Sequence, residues 1–333
     1  MTTEEQIESF RKTFESLRTE IGKVIVGHQH IVDGTLTAIF GGGHVLLEGV
    51  PGLGKTLLVR TLSEVLDMSF NRIQFTPDLM PADILGTNLV METTGGRREF
   101  QFQRGPIFAH LVLADEINRA TPKTQSAMLE AMQEKSVTAG GEIRKLAEPF
   151  FVLATQNPID QEGTYPLPEA QLDRFFFKLI VGYPTGSELT EVLTRTTEGA
   201  RQDLTRVLAK EQIVELQKLV RQAPVASHVK DYAVRLILAT HPKTETAAPI
   251  VNQYLRFGSS PRGGQTLLLA AKVRALAKGR FNVSFEDIQS VAPAALRHRL
   301  ILNFEAEAEG ITTDQVISQI LKDVPKDAEA VGV

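Results

Sequence analysis

A glycine-rich octapeptide, Gly49-Val-Pro-Gly-Leu-Gly-Lys-Thr56, is the feature that most constrains what this chain can fold into. It follows the apolar run HVLLE and precedes the helical pattern TLLVRTLSEVL, so a strand, a loop and a helix are expected in that order. The segment matches G-x-x-x-x-G-K-[ST], in which glycines let backbone N–H groups turn toward phosphate oxygens at a helix N-terminus. The sequence therefore predicts a site for nucleotide phosphates.

The residue types of this loop predict individual roles. Lys55 is expected to reach the β and γ phosphate oxygens, and Thr56 to offer its hydroxyl to Mg²⁺. A glycine-rich turn with a solvated lysine is the alternative, but the flanking strand and helix argue against it. The other loop residues expected to contact the nucleotide are Gly49, Pro51, Gly52, Leu53, Gly54 and Leu57.

A second apolar strand pattern, LVLADE at 111–116, ends in two carboxylates. Mg²⁺ takes few protein carboxylates and keeps water and phosphate oxygens, so Asp115 is expected to hold the metal shell and Glu116 to polarise the attacking water. Taken alone, the pattern is equally typical of an acidic strand end that meets solvent. A third run, FFVLATQN, ends at Asn157, which either contacts the γ-phosphate or the water, or forms a turn before Pro158.

The arrangement of patterns along the chain predicts an α/β fold. Apolar runs alternate with helical patterns up to about residue 180, which indicates a mostly parallel sheet flanked by helices, with the chemistry at the carboxyl ends of its strands. The runs are HVLLEGV, MSFNRIQF, HLVLADE, FFVLATQN and FFFKLIV. After the turn-rich segment 182–186, helical patterns follow at 187–197, 209–222, 228–240, 261–278 and 284–297, and one more helix is expected near the end.

We therefore expect two domains, 1–183 with an N-terminal helix and the nucleotide site, and 184–333 as an all-α unit. Two hairpins are predicted in the first, NLVMETTGGRREFQFQ turning at Gly95-Gly96 and KSVTAGGEIRKL turning at Gly140-Gly141. Each is either a partner-handling element or an ordinary surface ribbon.

The amino-acid composition argues against several kinds of binding partner and excludes cysteine-based sites. The net charge of −4 argues against general affinity for nucleic acid or anionic membranes. With no cysteine, the chain has no disulfides, thiol nucleophiles or Cys-ligated zinc. No apolar run approaches the roughly 18 residues that span a bilayer, so a cytoplasmic protein is expected.

Taken together, these motifs resemble the AAA+ ATPases, and specifically the MoxR family with its DEINRA signature at Asp115 to Ala120. The resemblance covers nearly the whole chain. It implies a P-loop NTPase core with a parallel sheet flanked by helices, followed by a C-terminal all-α lid domain. The matching stretches are IVGHQ (25–29), GVPGLGKT (49–56), RIQFTPDLMPADILG (72–86), RGPIF (104–108), LADEINRATPKTQSAMLEAMQE (113–134), ATQNP (154–158), LPEAQLDRF (167–175) and GSSPRGGQTLL (258–268).

The resemblance also implies roles for three polar residues. Asn157 resembles sensor 1, Arg174 in LDRF resembles the arginine finger that completes a neighbour's site, and Arg262 in SSPRG resembles sensor 2. A guanidinium suits both positions because its rigid fork binds phosphate oxygens in pairs. The alternative for each arginine is a local ion pair, with Asp173 the nearest candidate for Arg174.

The resemblance implies less specific roles for several other residues. Val26, Gly27 and His28 align with the family's adenine-pocket stretch, where His28 either contacts the base or only packs. Arg119 either bridges subunits or forms a local salt bridge. Gly263 replaces a frequent alanine and is expected to loosen the start of its helix slightly.

The sequence therefore predicts a Mg²⁺-dependent ATPase that acts as a chaperone-like remodeller of partner proteins. The resemblance implies a ring of identical chains, expected to be a hexamer, and clients that carry von Willebrand factor A-type domains. A nucleic-acid motor is the alternative, disfavoured by the mild acidity and the lack of tryptophan for base stacking. A nucleotide-dependent switch without turnover is a third, disfavoured by the intact Lys55, Thr56, Asp115 and Glu116.

Overall fold

The computed structural model of the chain describes residues 2–50, 52–92, 98–158, 163–197 and 203–326. Its central sheet consists of β1 (Val45–Glu48), β2 (Phe70–Gln74), β5 (Leu111–Asp115), β8 (Phe151–Gln156) and β9 (Phe177–Ile180). The strand order is β2-β5-β8-β1-β9, and every pairing is parallel. All five strands correspond to predicted apolar runs, so the predicted sheet is confirmed.

Alternate residues of each central strand face opposite sides of the sheet, as the period of a strand requires. In β1, Val45 and Leu47 belong to one hydrophobic cluster, whereas Leu46 belongs to the other. In β8, Leu153 and Ala154 divide in the same way. Both faces are therefore covered, which explains why these strands are continuous apolar runs in the sequence.

Helices cover both faces of the sheet. On one side, α1 has a capping box formed by Thr2 and Glu5, and its buried face includes Phe10, Phe14 and Leu17 at helical spacing. The helices of this part are α1 (Thr3–Gly22), α2 (Gln29–Gly41), α3 (Lys55–Val65), α4 (Pro81–Leu85), α5 (Pro122–Glu134) and α6 (Glu169–Leu172), with a 3₁₀ turn at Ile117–Arg119.

Both predicted hairpins are present as antiparallel pairs. The first consists of β3 (Gly86–Glu92) and β4 (Arg98–Arg104), and its predicted turn at Gly95-Gly96 lies outside the described residues. The second consists of β6 (Ser136–Ala139) and β7 (Glu142–Lys145), joined at Gly140-Gly141, where both φ angles are positive. The Arg144 guanidinium lies 3.8 Å from the centre of the Phe102 ring, so the two hairpins contact each other.

Helices dominate the C-terminal part, and α11 lies at its centre. This helix packs against α12, α9 and α8, and also against α1 and α2 of the preceding part. Its capped start at Ser260 and its buried Leu267 and Ala271 agree with the prediction for 261–278. The helices are α7 (Gly186–Thr197), α8 (Lys210–Gln222), α9 (Ser227–Ala239), α10 (Pro249–Tyr254), α11 (Pro261–Ala277), α12 (Phe285–Leu296), α13 (Phe304–Glu309) and α14 (Thr313–Asp323).

Two details of this part differ from the prediction. A two-stranded ribbon, β10 (Leu255–Phe257) with β11 (Ile301–Leu302), lies among the helices, and its strands are too short to show a period of two in the sequence. The expected single last helix is two helices. Gly310, with a φ of 69°, ends α13, and Thr312 then caps α14. Among the described residues, no helix has both the length and the apolar character needed to cross a membrane.

One buried histidine joins three elements of the α/β part. His44 Nδ1 accepts a hydrogen bond from the Val152 N–H of β8, and His44 Nε2 donates to the carbonyl of Met132 in α5, both at 3.0 Å. These partners place the ring proton on Nε2. Burial lowers the pKa of His44 from 6.5 to about 4. The folded protein therefore keeps this imidazole neutral, whereas the unfolded chain takes up a proton near its usual pKa.

We expect His44→Phe to lower the free energy of unfolding at neutral pH by about 2–4 kcal/mol, because two buried backbone groups lose their partners. Since the folded pKa lies below the unfolded one, the contribution of His44 is complete above about pH 6.5 and is lost as pH falls toward 4, at roughly 1.4 kcal/mol per pH unit. Urea unfolding at about pH 7.5 and about pH 5 should therefore show a smaller difference between wild type and variant at the lower pH. His228→Phe, at an exposed position of α9, is the matched control. A difference that does not change with pH would contradict the assignment.

Candidate nucleotide-binding site

The glycine-rich loop joins the end of β1 to the start of α3. Gly52 and Gly54 have φ angles of 84° and 73°, and a Cβ atom at either position would meet no atom within 4 Å. Such φ values favour glycine, and the open space leaves backbone N–H groups at the start of α3 accessible to an anion. No side chain caps α3 at Gly54. Pro51, also predicted to contact the nucleotide, lies outside the described residues.

The first residues of α3 carry the polar groups of the loop. Lys55 Nζ donates a hydrogen bond to the carbonyl oxygen of Gly49 at 2.5 Å. Burial lowers the pKa of Lys55, and the nearby carboxylates of Asp115 and Glu116 oppose that shift. The ammonium group is therefore positioned between the loop and the acidic strand end. Thr56 is exposed, so its hydroxyl is open to a ligand.

A cavity of about 660 Å³ lies beside the loop, a volume typical of small-molecule sites. Its walls are residues 24–32, the loop with α3, and the exit of β9 with α7. Apolar side chains such as Ile25, Val32 and Val192 form much of the lining, which suits a nucleobase. Among the predicted nucleotide contacts, those that line this cavity are Val26, His28, Gly52, Leu53, Gly54, Lys55 and Leu57.

Gly27 lies where the N-terminal wall of the cavity meets α7. Its φ is 66°, and a Cβ atom there would lie only 2.3 Å from a carboxylate oxygen of Glu188. Glu188 itself accepts hydrogen bonds from the backbone N–H and hydroxyl of Thr185, which begin α7. A side chain at position 27 would displace the Glu188 carboxylate from its present position. Glycine is favoured here chiefly by the left-handed backbone conformation.

His28 follows in a left-handed conformation at the start of α2. Burial lowers the pKa of its imidazole, with a smaller contribution in the same direction from neighbouring His30. A neutral ring in the cavity wall is compatible with both roles considered for His28, base contact and packing.

Arg195 is a cavity residue that the sequence did not reveal. Its guanidinium donates to the carbonyls of Gly22 and Lys23 at 3.0 and 2.6 Å, and it also pairs with Glu191 one helical turn away. It thereby attaches α7 to the C-terminal end of α1, where carbonyl groups lack helical partners. From sequence alone, Glu191 and Arg195 resemble an ordinary surface pair.

The two acidic residues at the end of β5 are held by a threonine of the adjacent strand. Thr155 Oγ1 donates to Asp115 Oδ1 at 2.6 Å and accepts from the backbone N–H of Glu116 at 2.8 Å. Glu116 has a φ of 56°, so the chain turns sharply directly after the strand. This turn prevents the two carboxylates from pointing to opposite faces, as they would in a continuing strand.

Both carboxylates also contact residues of other segments. Arg72 of β2 donates two hydrogen bonds to Asp115 Oδ2, at 2.6 and 3.0 Å. Gln74 donates to Glu116 Oε2 at 2.8 Å, and Arg119 pairs with the same oxygen at 3.0 Å. Arg119 thus forms a local salt bridge within this chain, one of the two roles considered for it. Asn157 is buried at the exit of β8, next to Gln156, whose carbonyl accepts the Gly49 N–H.

The remaining predicted catalytic residues are Arg174, which follows Asp173 in the chain, and Arg262, which pairs with Asp173. Arg262 is in the first turn of α11 and pairs with Asp173 at 3.5 Å, while Ser260, which caps α11, donates to the same carboxylate at 2.8 Å. Arg174 Nε is buried without a hydrogen-bond partner among the described residues. Neither arginine is among the residues that line the cavity.

Asp173 is fixed by a third arginine, which the sequence did not reveal. Arg299 is almost fully buried and donates to the Asp173 carboxylate at 2.8 Å and to the Phe175 carbonyl at 2.7 Å. Burial lowers the pKa of Arg299, and the Asp173 carboxylate opposes that shift. A Cβ atom at Gly263 would lie 2.1 Å from Ser259 Oγ and 3.2 Å from Arg299 Cδ. Gly263 is therefore favoured by packing. The helix α11 begins with a turn capped by Ser260, and the slight loosening expected from Gly263 stays a prediction.

The residues present suit a magnesium ion bound with nucleotide. The exposed Thr56 hydroxyl and the partly accessible Asp115 carboxylate are hard oxygen donors. Among the described residues there is no cluster of three or more acidic or histidine side chains that could hold a metal by themselves. Such a sparse set is typical of Mg²⁺ sites, in which phosphate and water supply the other ligands.

Comparison with known proteins gives a consistent assignment. The model of the ATPase family associated with various cellular activities (AAA) matches residues 44–177, and that of the AAA lid domain matches residues 247–320. A crystal structure of a protein from Cytophaga hutchinsonii, described as a candidate ATPase, superposes with a TM-score of 0.90 and 42% identity, covering 97% of each chain.

Two curated proteins match over most of their length. The chain is 44% identical to Chaperone MoxR1 of Mycobacterium tuberculosis, over 94% of this chain and 82% of that protein. It is 45% identical to the uncharacterized protein YeaC of Bacillus subtilis, over 91% of this chain and 92% of that protein. Together with the P-loop, the acidic strand end and the helical C-terminal part, these similarities show that the chain belongs to the MoxR family of AAA+ ATPases.

Proposed function

We propose that this protein hydrolyses ATP with Mg²⁺ at the cavity beside the glycine-rich loop, and that a ring of identical subunits, expected to be a hexamer, uses the hydrolysis to remodel client proteins. The observation that carries the proposal is the convergence of Lys55 with Asp115 and Glu116 at one sheet edge, while Arg174 and Arg262 lie away from the cavity. Membership of the AAA+ ATPases implies nucleotide binding and hydrolysis. The metal, the ring and the clients are our inference.

Within one subunit, the residues of the loop and of the acidic strand end would bind the phosphates, the metal and the attacking water. Backbone N–H groups of residues 52–54 and the Lys55 ammonium would bind the phosphates, and Thr56 and Asp115 would hold Mg²⁺, which when bound neutralises charge on the transferred phosphoryl group. Glu116 would orient and deprotonate the attacking water, and Asn157 would help to place that water.

Val26, Gly27 and His28 would form the adenine wall, opposite Leu57.

Between subunits, Arg174 would complete the site of a neighbour, with Arg262 beside it. An arginine finger must reach a phosphate from outside the cavity of its own chain. Arg174 Nε is buried and has no hydrogen-bond partner in the part of the chain that the structure describes, and Asp173, which precedes it, is anchored by Arg299. This anchoring supports a fixed backbone position for the finger. Because Arg262 and Ser260 contact the same Asp173, the lid would move together with the finger.

We also propose a division into residues 1–183 and 184–333, supported by the turn-rich segment that contains Gly182 and Gly186. The two matched family models lie on either side of that segment.

Glu116→Gln should retain ATP binding and lower the turnover rate by about 10²-fold or more, because the amide cannot accept the proton of the attacking water. Equilibrium binding of ATP and steady-state release of phosphate are the two measurements. Glu130→Gln, an exposed position of α5, is the matched control. Turnover that is unchanged in Glu116→Gln would exclude the assignment of this residue as the base.

Mixing two inactive variants tests whether the site is shared. Arg174→Ala keeps its own phosphate loop, whereas Lys55→Ala keeps an intact Arg174 for its neighbour. In a randomly mixed ring, about one quarter of the interfaces combine an intact loop with an intact finger, so up to about a quarter of wild-type turnover should return. No activity above that of the separate variants would argue against a finger supplied by the neighbour.

Client remodelling is tested by affinity capture with Glu116→Gln in the presence of ATP. Slow hydrolysis should hold the client-bound state, so proteins should be retained above a nucleotide-free control, including after nuclease treatment. Proteins with von Willebrand factor A-type domains are the expected class. Retention that disappears after nuclease treatment would favour the nucleic-acid motor, and retention equal to the control would contradict client remodelling.

A further inference from the structure

Both oxygens of the Asp115 carboxylate accept hydrogen bonds within the protein. Arg72 donates to Oδ2 from both Nε and Nη2, and Thr155 donates to Oδ1. Only 13% of the Asp115 side chain is exposed. The Arg72 guanidinium therefore already occupies one oxygen, Oδ2, of the residue that is expected to hold the metal shell.

Arg72 also connects the two acidic residues. Its Nη2 donates to Gln74 Oε1 at 2.6 Å, and the amide nitrogen of Gln74 donates to Glu116 Oε2 at 2.8 Å. Arg72 and Gln74 are two positions apart in β2, so their side chains lie on the same face of the sheet. Gln74 is directly opposite Asp115 in the ladder between β2 and β5. The position of Arg72 is therefore coupled, through one amide, to the position of Glu116.

Exposure distinguishes Arg72 from Arg299. The Arg72 side chain is 47% exposed, whereas that of Arg299, which also grips a carboxylate, is 2% exposed. A buried arginine cannot leave its partner without leaving a charge unpaired in the interior. The half-exposed Arg72 guanidinium can be hydrated when it leaves its partner. Asp115 is only 13% exposed, so its carboxylate then needs another cation, and a bound Mg²⁺ would supply that charge.

We propose that Arg72 is a positioning residue that competes with the divalent cation for Asp115, so that metal loading requires the guanidinium to swing away from the carboxylate. The inference rests on the proposed function, because it takes Asp115 as a metal-shell residue. The competition follows from charge, since two cations at one carboxylate oxygen repel each other at short range. When Arg72 leaves, the side-chain carbonyl oxygen of Gln74 loses its hydrogen-bond donor. The Gln74 amide nitrogen, which donates to Glu116, is then less firmly positioned.

The test is the Mg²⁺ dependence of ADP binding, measured by calorimetry on the full chain. In Arg72→Met, the Mg²⁺ concentration at half effect should fall roughly fivefold, which corresponds to about 1 kcal/mol. ADP affinity in the presence of a chelator should change less than about twofold, because Arg72 does not line the cavity. Mn²⁺ binding, followed by electron paramagnetic resonance with ADP present, should show the same shift.

Two further variants make the result specific. Arg72→Gln removes the charge but keeps a donor, and it should shift the Mg²⁺ midpoint in the same direction, so it replaces Arg72→Met if that variant does not fold. Arg60→Met is the matched control, because Arg60 lies on the exposed side of α3 and pairs with Glu64 one turn away. It removes the same charge from the protein without touching Asp115.

The outcomes are distinct. A Mg²⁺ midpoint in Arg72→Met and Arg72→Gln that equals that of Arg60→Met would overturn the inference, and so would a higher midpoint, which would mean that Arg72 assists the metal. If wild type binds no ADP at any Mg²⁺ concentration, the proposed function itself fails. Binding of ADP that does not depend on Mg²⁺ in wild type would remove the metal role of Asp115, and with it the competition.

Discussion

Parallel hydrogen bonding of β1 to β8 on one side and to β9 on the other is the constraint on which this molecule depends. It brings the ends of strands that are far apart in the chain to a single edge, with the glycine-rich loop between them. The Gly49 N–H reaches the Gln156 carbonyl, and a Cβ atom at Gly49 would lie 2.6 Å from the Val181 carbonyl. Loop, acidic turn and cavity wall are therefore assembled by backbone pairing, before any side chain contributes.

Asp173 and Asp115 are each bound by an arginine, and the two arginines differ in how far they are buried. Asp173 pairs with the buried Arg299 and accepts a hydrogen bond from Ser260, the cap of α11. It therefore links the helical part to β9, the strand that follows it in the chain. Asp115 pairs with Arg72, whose side chain is half-exposed. The two ion pairs therefore differ in the exposure of the arginine and little in that of the carboxylate, and this difference is the basis of the proposed competition between Arg72 and the metal.

The sequence was sufficient for the five strands of the central sheet, the paired strands of both hairpins, the loop and the acidic strand end, because each is encoded in a short local pattern of apolar residues and glycines. It was not sufficient for contacts between distant segments. Arg72, Arg195 and Arg299 resemble ordinary surface cations in the sequence, and only the fold shows what their guanidiniums touch. Phosphate contact by Arg262, which the resemblance to the family implies, stays a prediction, and only the fold shows that this arginine pairs with Asp173. The β10–β11 ribbon escaped prediction because it is short.

The cavity wall formed by α7 has an unusual construction. Not one residue of this helix is buried, and its contacts include those of Arg195 with the end of α1 and the packing of Glu188 against Gly27. It is preceded by Gly182 and begins at Gly186, where an added Cβ atom would meet nothing. An outward movement of this wall would therefore expose no buried side chain of α7 to water. At a nucleotide site of the proposed kind, product release would then break polar contacts and leave the hydrophobic core intact.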